Sequence, residues 1–212
     1  MIDPHVLSAF AALAFVVIVV PGPSVLFIVG RALQHGRGPA LVSVVGNTGG
    51  VVVHAALVAV GVGAVIAASQ AAFVTLKVAG GLYLIWLGIQ AIRHRRDGLA
   101  LPADDASVPR SGRLLAESFT VGVTNPKTLV FAAAVLPQFV DPAAGPASAQ
   151  ILVLGLVFAA IAVISDGAYA LLASAARKGL ARSPRAVARM RAAGGGMLVA
   201  LGGALLLARR AA

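Results

Sequence analysis

Four polar side chains that could do chemistry stand inside long apolar stretches: Asn47, Asn125, Lys127 and Asp166. A lysine or aspartate in such surroundings is expensive unless paired or hydrogen-bonded, and marks a functional position by default. Each is the expected partner of the other, and Asp166, within Ser165-Asp166-Gly167, could also carry a proton; a structural ion pair is the plainer alternative. Asn125-Pro126-Lys127 has the form of a helix start, because Asn caps and Pro favours the first helical position. A helix beginning there aims unpaired backbone N–H groups and a positive dipole end at whatever lies before it. Asn47 lies in Gly46-Asn47-Thr48-Gly49-Gly50, where small residues allow close backbone approach. Its amide is both donor and acceptor, which suits a ligand or an interhelical hydrogen bond equally.

A second constellation carries backbone rather than side-chain chemistry. Val20-Pro21-Gly22-Pro23-Ser24 interrupts an uncharged run from Val6 to Gly30. Each proline removes a donor and displaces the carbonyl four residues earlier, so the carbonyls of Val17 and Val19 lose their helical partners. In hydrocarbon such groups are tolerated only where they are buried in protein or line a wet cavity. Pro21, Gly22 and Pro23 are therefore site candidates, against the alternative of a kink that only shapes packing. An enzyme reading would pair Ser24 with His54, but no Gly-x-Ser-x-Gly frames the serine. The four histidines are scattered and cysteine is absent, so neither a metal cluster nor a thiol redox centre is expected. No cofactor is implied.

The elements that must hold these residues follow from hydropathy. The 212 residues are 59% hydrophobic and only 11% charged, against about 25% charged in soluble domains. This composition predicts an all-α polytopic membrane protein with a single membrane domain. The net charge of +10 does not indicate nucleic acid, because the basic residues cluster in short loops between apolar runs. The N-terminus does not read as a signal peptide: Asp3 is the only charge before Arg31, and the apolar run is too long. Six spans are expected, at about 6–30, 39–68, 73–92, 114–140, 148–175 and 192–208, with the second and third divided at Ser69-Gln70. A five-span version with one half-inserted segment is the alternative. Of 17 Lys and Arg, thirteen lie in three loops: Arg31 and Arg37; Arg93, Arg95, Arg96, Arg110 and Arg113; and Arg177, Lys178, Arg182, Arg185, Arg189 and Arg191. The positive-inside rule puts these loops in the cytoplasm and both termini outside, with Arg209 and Arg210 dissenting.

An internal repeat divides the chain. Gly80, Gly81, Leu84, Leu87, Gly88, Arg95 and Arg96 recur 114 residues later as Gly194, Gly195, Leu198, Leu201, Gly202, Arg209 and Arg210. Pro21-Gly22-Pro23 and Asn125-Pro126 correspond as breaks in spans one and four. Three spans per half is an odd number, so the halves are inverted, about 1–96 and 114–212 around a cytoplasmic loop at about 97–113. Inverted repeats with broken helices place the substrate at the repeat interface. The glycine-rich faces of spans three and six are compatible with a homodimer seam or with core packing.

Together, Pro21-Gly22-Pro23, Gly46-Asn47, Gly80-Gly81-x-Tyr83-Leu84-x-Trp86-Leu87-Gly88, Gly122-x-x-Thr124-Asn125-Pro126-Lys127 and Leu136-Pro137-Gln138-Phe139 resemble the LysE/RhtB family of amino-acid exporters over essentially the whole chain. The resemblance implies an ion-driven exporter in a bacterial inner membrane. Members exporting basic amino acids tend to have aspartate where Asn47 stands and another near Phe131. Their absence here favours a neutral amino acid resembling homoserine, threonine or leucine. The expected mechanism sets the substrate carboxylate against Lys127 and the Asn125-Pro126 helix start, and its ammonium against the freed carbonyls, with Asn47 helping. Ile18, Val25 and Phe131 are wall candidates, and Asp166 couples a proton. This requires breaks in both leading helices and a cleft between them. The rivals are export of another small cation or metabolite, and a non-transporting scaffold subunit. Glu117 reads as an interface residue, and Tyr83, Trp86 and Tyr169 as packing or interfacial residues.

Overall fold

The computed structural model describes residues 2–68, 70–96, 109–176 and 184–207. Every regular element among them is helical: α1 Pro4–Val19, α2 Pro23–His35, α3 Arg37–Ala68, α4 Gln70–Arg93, α5 Ser111–Val123, α6 Pro126–Ala134, α7 Ala147–Ala175 and α8 Pro184–Leu207. Two 3-10 turns, Leu136–Phe139 and Pro142–Ala144, link α6 to α7. Ser69, Arg177, Lys178, Arg182, Arg209 and Arg210 lie outside the described residues, as does most of the expected loop at 97–113.

The helix boundaries follow local chemistry. Asp3 caps α1, its carboxylate accepting from the His5 N–H at 2.7 Å, and Pro4 opens the helix. The helix stops at Val19 because the next residues cannot extend it: Val20, which precedes a proline, is extended, and Pro21 offers no N–H. Gly22 then caps α2, with Pro23 as its first residue, and Gly36 at φ 80° ends it in a backbone region that favours glycine. The second break repeats the device. The Asn125 side chain accepts from the Lys127 N–H at 3.1 Å, and Pro126 opens α6. The two broken pairs bend by 53° (α1 to α2) and 50° (α5 to α6 with its 3-10 turn).

Among the described residues two helices, over Arg37–Gly61 and Ala147–Ala175, are long and apolar enough to cross a membrane, and each bent pair qualifies as one further span. The third and sixth expected spans are described as shorter apolar helices, Val78–Arg93 and Arg191–Leu207.

Close packing of α3, α5, α4 and α8 runs through glycine. A Cβ on Gly46 would lie 2.6 Å from the Leu115 carbonyl, and one on Gly122 would meet the Asn47 carbonyl, so α3 and α5 approach backbone to backbone. On α4 and α8 the fit is reciprocal. Gly81 faces Gly202 and Gly88 faces Gly195; Gly88 also meets the Val199 N–H, as Gly202 meets that of Ile85. Tyr83 and Trp86 stack on the outer surface of α4 with centroids 5.4 Å apart.

The buried apolar side chains form two clusters. The larger includes Phe10, Val17, Val20, Phe131, Leu136, Leu154 and Phe158; the smaller includes Val25, Ile28, Val29, Leu33, Val44 and Ala173. Near the smaller cluster, Glu117 on α5 pairs with Arg31 of α2 and, at 2.7 Å, with Arg113.

Candidate functional site

The two helix breaks meet in the interior. Ser24, Asn47, Asn125, Lys127 and Asp166 are all buried there, contributed by α2, α3, the α5–α6 break, α6 and α7. Three hydrogen bonds run through them in series. The Asn125 Nδ2 donates to Ser24 Oγ at 2.6 Å, Ser24 Oγ donates to Asn47 Oδ1 at 2.7 Å, and Asn47 Nδ2 donates to Asp166 Oδ2 at 3.2 Å. The Asn125 Oδ1 closes the far end by accepting from the Lys127 backbone N–H, capping α6.

Lys127 turns away from this chain, towards the end of α1. Its ammonium donates to the Val17 carbonyl at 3.1 Å and to the Val20 carbonyl at 2.8 Å. The Tyr169 hydroxyl donates to the Val19 carbonyl at 2.7 Å. The carbonyls opened by Pro21 and Pro23 are thus filled by side chains from the other half of the chain. His54 plays a matching part at the second break, with Nε2 2.7 Å from the Val123 carbonyl. A carbonyl can only accept, so Nε2 carries the proton. Gly22 makes room for the lysine, since a Cβ there would lie 3.2 Å from both Cε and Nζ.

The expected Lys127–Asp166 ion pair is not formed. Among the described residues the ion pairs join Glu117 to Arg31 and Arg113, and Lys127 is in neither. The short aspartate is held by Asn47, whereas the lysine stem reaches two converging carbonyls that have no helical donor. The two charges remain within electrostatic reach. The suggested Ser24–His54 pair is also absent: each is bonded elsewhere.

The sequence-predicted residues thus divide. Asn47, Asn125, Lys127 and Asp166 converge, and Gly22 touches the lysine. Pro21 and Pro126 shape the backbone from half-buried positions, while Pro23 is exposed at the start of α2. Of the wall candidates, Phe131 lies against Phe10 and Phe158, with centroids 6.1 and 4.9 Å away. Two members were missed. Ser24 follows Pro23 as Lys127 follows Pro126, a signal that was available. Tyr169 is one turn from Asp166 on α7, hence on the same face. The expected breaks are present, but the expected cleft between them is not found among the described residues: the junction is closed, because its polar groups satisfy one another. Beside them is an apolar crevice of about 10 Å³ lined by Val51, Ala55, Thr128, Phe131, Gly155 and Phe158, room for at most one water.

Interrupted helices that meet inside the protein are a pattern found at the binding centres of many transporters. The family model of the LysE type translocators matches residues 15–209. The chain belongs to this family. Among its relatives, the homoserine/homoserine lactone efflux protein of Salmonella typhimurium is 35% identical over 191 residues, covering 90% of this chain and 91% of the relative. The threonine efflux protein of Escherichia coli is 31% identical over 144 residues, 66% of this chain and 70% of the relative. The leucine efflux protein of Klebsiella pneumoniae is 30% identical over 151 residues, 70% and 69% respectively. No solved structure matches. As a LysE-type translocator the chain is a membrane protein, in keeping with its long apolar helices.

Proposed function

We propose that this translocator exports neutral amino acids from the bacterial cytoplasm across the inner membrane by alternating access at the junction of the two broken spans, which is closed in this structure and must open to admit cargo. The observation that carries the reading is the Lys127 ammonium held by the Val17 and Val20 carbonyls, beside a single buried chain of hydrogen bonds ending at Asp166. Those carbonyls are acceptors suited to a primary ammonium. The N-terminus of α6 and Lys127 itself suit a carboxylate. The site holds one buried cation and one buried carboxylate, so a zwitterion adds no net charge, whereas a basic amino acid leaves one charge uncompensated in a low dielectric. The relatives named for homoserine, threonine and leucine fit this pattern, since each of these cargoes is a zwitterion with an uncharged side chain; homoserine lactone shares the amino group but has no carboxylate.

Two inverted three-helix repeats would supply the moving parts. The glycine contacts support this: at the 114-residue offset, Gly81 facing Gly202 becomes Gly195 facing Gly88, and the second contact is also present. Such exchange is what a two-fold relation between α4 and α8 requires. The larger apolar cluster with Phe10, Phe131 and Phe158 would close the outer side, and the Ile28–Ala173 cluster the cytoplasmic side. Asp166, buried and joined to the cap of α6 through Asn47 and Ser24, is the group suited to bind the driving proton. Lipid surrounds the outer faces.

The test is export from cells loaded with L-homoserine, L-threonine or L-leucine, with protection from their toxicity as a parallel readout. Lys127→Ala should abolish export while the protein still inserts in the membrane. Undiminished export would remove Lys127 from the mechanism. A scaffold subunit would instead tolerate substitution at Pro21, Asn125 and Lys127 and give no export.

A further inference from the structure

We propose that α2 is the gate on the cytoplasmic side and that the Arg31–Glu117 ion pair is its latch: the pair stands while the way to the polar network is shut, and breaks when α2 swings away from α5 to admit cargo. The inference rests on the proposed alternating access and names the part that moves on that side.

Four observations carry it. First, the pair joins the two halves of the chain: Arg31 lies on α2, Glu117 lies on α5, and they are 86 residues apart in sequence. Second, it stands over the network. Ser24 and Asn125 are hydrogen-bonded to each other at 2.6 Å; Arg31 comes seven residues after Ser24, and Glu117 eight before Asn125. At the helical rise both lie about 10–12 Å from the network, on the sides of α2 and α5 that run into the basic loops. Third, α2 is jointed at both ends. Pro21 and Gly22 precede it, with a bend of 53° from α1, and Gly36 at φ 80° ends it. By contrast α5 is fixed to α3, where Gly46, Gly50 and Gly122 bring the two backbones together, whereas a Cβ on Gly30 of α2 would meet nothing within 4 Å. Fourth, the space beneath the pair is filled from α2 itself. Val25, Ile28, Val29 and Leu33 cluster there with Val44 of α3 and Ala173 of α7. Swinging α2 out withdraws this plug and uncovers Ser24 and the network behind it.

The pair has the strength a latch needs. Its side chains are 13% and 33% exposed, and a partly exposed ion pair contributes little net stability, so it can break and re-form in each cycle. A fully buried pair would be costly to separate. The Arg31 guanidinium lies 5.1 Å from the ring centroid of Phe27 on its own helix, a contact that positions it before Glu117 comes within reach. Arg113 also bonds Glu117, but from the same helix; it orients the carboxylate without bridging the halves.

The experiment uses the full chain, which has no cysteine, with Val25→Cys as a buried reporter beneath the latch. Its rate of reaction with an impermeant maleimide is measured from the cytoplasmic face in inside-out vesicles and from the outer face in intact cells. Glu117→Gln and Arg31→Gln should each speed the cytoplasmic reaction about two- to fivefold, the range of a partly exposed ion pair, without speeding the outer one. The double variant should react no faster than either single one, because both remove the same contact. Arg113→Gln should change the rate by less than about twofold, since its bond does not cross the seam. Ala32→Cys, also buried on α2, is the reporter if Val25→Cys does not insert. Unchanged rates in both single variants, a double variant that multiplies their effects, an Arg113→Gln effect equal to that of Glu117→Gln, or an equal gain from both faces overturns the inference and leaves amino-acid export standing. A wild type that exports none of the three amino acids overturns both.

Discussion

Tyr169→Phe isolates one bond in the site. The substitution keeps the ring and deletes the hydroxyl that donates to the Val19 carbonyl at 2.7 Å. That carbonyl cannot recover its helical partner, because the residue four positions on is Pro23. The variant therefore leaves an acceptor without a donor inside the protein, a loss of about 1–3 kcal/mol in general. Measured interhelical hydrogen bonds in membrane proteins run lower, averaging about 0.6 and reaching about 1.7 kcal/mol. Tyr169 is only half-buried, but its acceptor has no alternative within the helix, so the upper part of that second range applies, about 1–1.7 kcal/mol. For a chain of this length each kcal/mol moves the melting temperature by about 2–4 °C, which gives a fall of about 2–7 °C. The assay is thermal unfolding of the purified protein in detergent at fixed scan rate, with Tyr83→Phe as control, since Tyr83 stacks on Trp86 at the outer surface and its hydroxyl has no hydrogen bond among the described residues. A melting temperature for Tyr169→Phe that matches the control would refute the idea that proline-freed carbonyls must be filled from across the fold.

Two further predictions test the network and the topology. Ser24→Ala removes both the donor to Asn47 and the acceptor from Asn125; export should fall about 5- to 150-fold, for a loss of about 1–3 kcal/mol, with membrane insertion unchanged, whereas normal export would detach the network from transport. Because the chain has no cysteine, a single introduced cysteine reports sidedness cleanly: Ala143→Cys should react with an impermeant maleimide from outside intact cells and Gly112→Cys should not, and the opposite pattern would reverse the orientation drawn from the basic loops.

Much of the site was legible before any fold was known, and the reason is covalent. A proline has no N–H, so Pro21 and Pro23 alone specify that the Val17 and Val19 carbonyls open, and both are found bonded to side chains rather than to the helix. Capping is equally local, and Asn125 does cap α6 as its place before a proline implies. The division after Ala68 and the long apolar α7 follow from hydropathy in the same way. What fills the opened carbonyls was not legible. Lys127 is 110 residues from Val17 and Tyr169 is 150 from Val19, and nothing near Val17 or Val19 in sequence names them. Charge alone favoured an ion pair of Lys127 with Asp166. The fold instead gives Asp166 to Asn47 and swings the lysine to the end of α1. Opposite charges attract over a distance and in many arrangements, but a hydrogen bond needs donor and acceptor within about 3 Å and aligned. Local chemistry can therefore say which groups lack a partner, while only the packing of α1, α6 and α7 decides which partner comes within reach.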